Sequence, residues 1–345
     1  MGEQHFLSSG PLLDKEDNLA EAGYAFSLVK RYDRDEIKAG KSRIKEWDYY
    51  YVGNKEHGLA LTIADNGYMG MLSISILDFV KKNDITVSKI TLFPMGKMKL
   101  PRTSRQGDTV YENKKQGITM SFLHQGDKRR LICSFKKFGK TKKSFRCDLL
   151  LQETNKNSMV IATPFNKPKH FYYNQKINNL VASGYAKLGD EYIDFNHETY
   201  GVLDWGRGVW TYRNTWYWSS LNGFQDGRYI GFNLGYGFGD TSKASENMLF
   251  IDDRAIKLDD VKMDIPLGPG GKDDFMRPWK FRSSTGDISL VFTPVYDRHA
   301  DMNLLVLRSN QHQVFGTFSG TILYEGQEIY IDEMMGFAEK VYNKW

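Results

Sequence analysis

From Trp47 onward, apolar and polar positions alternate in short runs separated by turn-forming residues. WDYYYV closes on Gly53-Asn54, LALTIA on Asn66-Gly67, and GITMSFLH on Gln125-Gly126-Asp127. RLICSFKKF closes on Gly139-Lys140, before SFRCDLLLQE. Such alternation, bounded by Gly, Asn and Asp, predicts half-buried strands joined by hairpins. MLSISILDF reads as a strand too, because Ile74 and Ile76 alternate with serines. The second half keeps the style, with TWYWSSL before a turn at Asn222-Gly223 and RYIGFNLGYGF after another at Asp226-Gly227. ISLVFTPVYDR, HQVFGTFSGTILY and EIYIDE follow, with Glu325-Gly326 between the last two. Two regions depart from the pattern. The first 40 or so residues read as an extended arm with a helical turn around Asn18–Ala25, and the tail MMGFAEKVYNKW predicts a short C-terminal helix. No βαβ alternation is present, which disfavours a doubly wound α/β fold.

The pattern repeats. Trp47 opens an aromatic strand that turns and leads to Gly58, Leu61 and Ile63, and Trp216 opens another that leads to Gly227, Ile230 and Phe232. A chain of 345 residues is comfortable for two sheet domains of roughly 170 residues each. Between the halves, ATPFNKPKHFYYNQKINN with Pro164 and Pro168 reads as a linker. The expected division is residues 1–170, with the N-terminal arm, and 171–345. The second unit carries a tryptophan-rich block.

Composition sharpens this. Hydrophobic residues at 41% and charged residues at 26% are an ordinary globular balance, whereas 7 Trp, 20 Tyr and 21 Phe favour strands and ring-lined pockets. The net charge of +5 is too mild to demand an acidic partner. Cys133 and Cys147 read as buried free thiols rather than a disulfide framework. The N-terminus lacks a basic region followed by an apolar core, and no apolar run reaches the roughly 18 residues of a membrane span, so a cytoplasmic location is expected.

The stretch LDWGRGVWTYRNTWYW, Leu203 to Trp218, resembles the signature block of the family known as domain of unknown function 2804. GPLLDKEDNL, NQKINNLVASGYAKLG, ENMLFIDD, MRPWKFR and HQVFGTFSG extend the resemblance over essentially the whole chain. More remotely, the layout is similar to tandem lipocalin-like proteins, among them carotenoid hydratase (hydroxyneurosporene synthase) and the AttH-like proteins. The resemblance implies a mainly β fold of two tandem lipocalin-like barrel or sandwich domains, with a ligand cavity at or near their junction. It assigns no function.

Within the block, four of the seven tryptophans lie in 14 residues, with Asp204, Arg207, Arg213, Tyr212 and Tyr217 among them. One reading is an aromatic-walled pocket formed by Trp205, Trp210, Trp216 and Trp218. Asp204 would stand at its edge as a general acid, its pKa raised by burial. Tryptophan faces stabilise a cation, which suits hydration, isomerisation or cyclisation of an isoprenoid-like molecule. The competing reading pairs Asp204 with Arg207 or Arg213 as a structural staple. Tyr236, Glu246 and Asn247 are further candidates for a polar rim, or caps of a strand. Seven scattered histidines offer no metal-ligand spacing, no dinucleotide or GxSxG signature occurs, and neither a metal nor a cofactor is expected.

The basic run Lys128–Arg146, interleaved with Phe135, Phe138 and Phe145, could track a nucleic-acid backbone or an anionic membrane surface. A solvated hairpin with lysines guarding its edge ranks ahead of both. The expected role is therefore binding of an apolar small molecule. A hydratase, isomerase or cyclase using Asp204 is the alternative, and a structural or nucleic-acid-associated role ranks below both.

Overall fold

The computed structural model describes residues 3–304 and 307–344, and among them there is no α-helix, only strands and short 3-10 turns. The strands form two large antiparallel sheets. In the first, the order runs Asn83–Leu92, Met69–Asp78, His57–Asp65, Ile44–Gly53, Tyr200–Val209, Phe171–Leu188, Phe145–Glu153, Lys128–Phe135, Ile118–Gln125 and Thr109–Asn113. In the second it runs Arg254–Lys257, Met248–Ile251, Arg228–Tyr236, Arg213–Gln225, Gln327–Lys344, Leu307–Tyr324, Ile288–Leu304, Trp279–Ser283 and Val261–Asp264.

The two sheets share a plan. The strand with Trp47 pairs on one side with its hairpin partner and on the other with Tyr200–Val209, the last long strand of its sheet. The strand with Trp216 does the same, with Arg228–Tyr236 and the terminal Gln327–Lys344. The 47-to-216 correspondence seen in the sequence is thus a correspondence of place. Each sheet curls over its own apolar core. One core centres on residues such as Leu61, Phe135, Phe171 and Trp205, the other on Leu234, Trp279, Phe292 and Phe318.

Most of the expected hairpins form where Gly, Asn and Asp mark them, at 54–56, 66–68, 126–127, 226–227 and 325–326. At the last two, Asp226-Gly227 and Glu325-Gly326 both hold positive φ, as a two-residue hairpin turn requires.

Four expectations are corrected. Asn222-Gly223 is not a turn. Both lie inside the strand Arg213–Gln225, and the Asn222 side chain instead bonds Asn178 and the Asn179 backbone of the first sheet. The tail is not a helix but the strand Gln327–Lys344, flanked by paired strands on both sides. Its two faces are both covered, with Ala338 in the second core and Phe337 against the first sheet, so the period-2 signal is erased and helix-forming Met, Ala, Glu and Lys mislead. The helical turn around Asn18–Ala25 is absent, and Gly23–Ala25 pairs with Met159–Pro164 instead. The segment read as a linker is the turn of a hairpin, because Met159–Pro164 pairs directly with Phe171–Leu188.

The side chains of Phe135, Phe138 and Phe145 are buried in the first core, leaving none of the three to stack bases. In the same run Arg129 pairs with Glu153 and Arg130 with Asp148. Cys133 and Cys147 are buried, unbridged and directly opposite one another on paired strands. No helix is long and apolar enough to cross a membrane among the described residues.

Candidate functional site

Alternation along three neighbouring strands of the first sheet sorts their side chains onto two faces. On Tyr200–Val209, Leu203, Trp205, Arg207 and Val209 point into the first barrel, leaving Val202, Asp204, Gly206 and Gly208 on the outer face. Register places Lys176, Asp204 and Tyr49 in one transverse row, and Asn174, Gly206 and Trp47 in the next. The second sheet presents its own row, with Trp218, Glu339 and Gln313 in register. Glu246 lies beside that row, its carboxylate over Gly235, the partner of Trp218.

The rows meet where the sheets pack. Lys176 Nζ stands 3.0 Å from Asp204 Oδ1 and 4.1 Å from the centre of the Trp218 ring. Asn174 donates to the same Asp204 oxygen at 2.6 Å. Trp216 Nε1 donates to Glu339 Oε1 at 2.9 Å, Gln313 donates to Glu339 Oε2 at 3.0 Å, and Gln313 also bonds the Tyr49 hydroxyl. Trp218 Nε1 donates to Asn233 at 2.7 Å, and Asn233 donates to the Glu246 carbonyl. Beside this network stands an aromatic wall. Trp47 stacks on Tyr172 and meets Trp210 edge-on, while Phe238 makes edge contacts with Tyr172, Trp210 and Trp216. Gly206 permits this, since a Cβ there would fall 1.9 Å from the Trp47 ring.

The electrostatics are unbalanced. Asp204, Glu246 and Glu339 are all buried, and Lys176 is the buried cation among them. Burial pushes the Glu339 carboxyl up to about 7, reinforced by Asp204 and opposed by the Trp216 hydrogen bond, Lys176 and Arg298. Burial also raises Glu246, with Lys176 and Lys257 opposing and Asp204 adding. Burial, Asp204, Glu246 and Glu339 together hold the Tyr172 hydroxyl in its neutral form. The cluster therefore sets the Asp204–Lys176 salt bridge beside a Glu339 carboxyl that titrates near neutral pH and a Glu246 carboxyl raised by burial. That is the pairing of a fixed charge with a proton donor that acid–base chemistry needs.

Asp204, Trp210, Trp216, Trp218 and Glu246 are brought together here. Trp205 and Arg207 are not. They lie on the other face of their strand, inside the first barrel, where the Arg207 guanidinium packs on the Trp205 ring and bonds Asp48 at 3.0 Å. Tyr212 and Arg213 are exposed at the start of their strand, and Tyr236 stacks on Tyr217 toward the second core. Asn247 serves the backbone, accepting from Gly235 N–H and donating to the Asp259 carbonyl. The expected Asp204 pairing with Arg207 or Arg213 is also corrected: the partner is Lys176, because odd and even positions of one strand face opposite ways. Sequence reasoning missed Lys176, Glu339, Tyr172, Tyr49 and Gln313. The one signal for them was a lysine or glutamate at the outward or inter-sheet position of a long strand.

Among the described residues no three His, Cys, Asp or Glu side chains gather as a metal site. Inside the first barrel a small cavity of about 20 Å³ lies beside Trp205 and Arg129.

An AttH-like protein from Nitrosomonas europaea has a similar fold, with a TM-score of 0.55 at 12% identity, covering 91% of this chain and 98% of that one. Kievitone hydratase from Nectria haematococca aligns with a TM-score of 0.45 at 10% identity over 93% and 96% of the two chains. CghA aligns at 0.40 and 8% identity over 98% and 97%. The architecture is that of the tandem lipocalin-like proteins. No curated protein sequence matches the chain. Residues 3–345 match the model described as a domain of unknown function, DUF2804, and the chain belongs to that family.

Proposed function

We propose that the protein binds a small, largely apolar molecule where its two sheets meet and acts on it by proton transfer, as a hydratase or isomerase does. The observation that carries the reading is the excess of buried carboxyls over buried cations at Asp204, Glu246, Glu339 and Lys176, set against the wall of Trp47, Trp210, Trp216 and Phe238. Burying three acids beside one buried lysine is costly even with the half-buried Lys257 and Arg298 nearby, and a structural staple needs only the matched pair. The surplus is useful for chemistry. Glu339, protonated near neutrality, is placed to donate, and the Asp204–Lys176 pair supplies a fixed dipole beside it. The neighbouring indole faces stabilise the positive charge that protonating a carbon–carbon double bond creates.

A second reading, a carrier without turnover, draws on the same wall and differs only in chemistry. The test is mass spectrometry of organic extracts from the purified wild type and from Asp204→Asn and Glu339→Gln. The expected result is a defined apolar species in each variant, differing from the wild-type extract by the mass of a water molecule or by retention time alone. The same species in all three would leave a carrier. Empty extracts, with no binding of isoprenoid alcohols added back, would overturn both readings.

A further inference from the structure

The structure assigns a second ligand site, for a small organic cation about the size of one aromatic ring, to the cleft at the opposite end of the junction. The cleft has a volume of about 140 Å³ and is built from both sheets. Cavities of roughly that size accept a benzene ring. Its apolar walls come from Tyr51, Tyr200, Phe224 and Met334, and its mouth carries Glu198, Asp332 and Glu333. Those three carboxylates are exposed, Lys55 is the one cation in the cleft's lining, and among the described residues none of the four is in an ion pair. The surplus is therefore negative and selects a cation.

An independent observation concerns a residue of the same cleft. Tyr51 is 5% exposed, and its hydroxyl is buried with no hydrogen-bond partner among the described residues. That hydroxyl lies over Gly53, another residue of the cleft, where a Cβ would come within 2.2 Å of it. A buried hydroxyl without a partner is expensive to keep unless something comes to meet it. An ammonium N–H would donate to it, while the rings of Tyr51, Tyr200 and Phe224 would flank the rest of the ligand. The site is separate from the acid cluster. Tyr51 packs on Phe315 and Phe337 at 5.2 and 5.4 Å, and none of Asp204, Glu246, Glu339 and Lys176 lines the cleft. The inference therefore stands apart from the proton-transfer reading.

The test titrates the purified full-length chain calorimetrically with benzylammonium, with neutral benzyl alcohol and with benzoate. Benzylammonium should bind saturably and about tenfold more tightly than benzyl alcohol, with benzoate not binding. The double variant Asp332→Asn, Glu333→Gln should lose that preference, and because both residues are exposed its folding should be unaffected. Equal binding of the alcohol, an intact preference in the double variant, or no saturable heat from benzylammonium would each overturn the assignment. The titration reads only the cleft, and the mass of extracted species reads only the acid cluster, so the two proposals fail separately.

Discussion

Arg207 and Asp204 stand three residues apart on one strand, yet they anchor two buried ionic clusters of opposite character. Inside the first barrel, charges are matched. Arg207 bonds Asp48 and approaches Glu46 at 3.8 Å, Arg34 bonds Glu46 at 2.6 Å, and Arg129 and Arg105 share Glu153. Arg207 also donates to the carbonyls of Trp47, Gly206 and Pro101, so its fork is nearly filled. At the junction, the buried carboxyls Asp204, Glu246 and Glu339 have one buried lysine, Lys176, which contacts Asp204, while the half-buried Lys257 and Arg298 act on Glu246 and Glu339 from farther off. Matched arginine–carboxylate pairs with backbone acceptors suit a permanent interior, because the planar fork meets several fixed acceptors at once. A cluster with too few cations keeps protons at neutral pH and can give them away. The comparison separates what holds the molecule together from what is placed to do chemistry.

The sharpest way to break it is Arg207→Met. Removing the guanidinium leaves Asp48 in the barrel without its cation, while Glu46 keeps Arg34, and the expected loss is about 3–5 kcal/mol in urea denaturation. A loss under about 1 kcal/mol would mean that the matched cluster is not structural. Glu339→Gln comes next. With its carboxyl at about 7 in the fold against 4.5 ordinarily, the folded state keeps a proton that the unfolded chain releases between those values. Stability is therefore greatest below pH 4.5 and falls as pH rises to about 7, by on the order of 3 kcal/mol. The variant should lack that decline, seen as a wild-type-minus-variant difference in denaturation midpoints across the window. Lys45 and Lys257, both lowered to about 7 by burial, act in a separate window. Their release of protons raises stability between about pH 7 and 10.5 in both proteins, so they do not mask the effect. The smallest change is Gly206→Ala. Its Cβ would collide with the Trp47 ring, costing about 1–3 kcal/mol and displacing the aromatic wall. Tryptophan fluorescence should shift. An unchanged spectrum with unchanged stability would show that the wall adapts.

Hairpins were legible because they are local. Gly, Asn and Asp between two alternating runs announce a turn, and alternation gives the strand beside it. The exceptions are instructive. Asn222-Gly223 carries the same turn chemistry, but the Asn222 amide is used across the junction, and no local rule reports a partner 43 residues away. The tail lost its alternation by becoming a central strand covered on both faces. The tryptophan block pointed to one half of the junction, with Asp204, Trp216 and Trp218 visible as a dense run of chemistry-bearing residues.

Alternation within LDWGRGVW puts Asp204 and Arg207 on opposite faces of any strand it forms, a constraint that the expected Asp204–Arg207 pairing set aside, since neighbouring side chains on a strand leave by opposite faces. Which face is barrel and which is junction was decided only by pairing. Lys176 reaches Asp204 because Phe171–Leu188 and Tyr200–Val209 align in one register, and a slip of one residue would turn that lysine inward. Glu339 arrives from the far end of the chain because Gln327–Lys344 closes the second sheet beside Arg213–Gln225. Register and closure are long-range properties, fixed by the packing of whole sheets, and from them comes the surplus of acid that marks this junction.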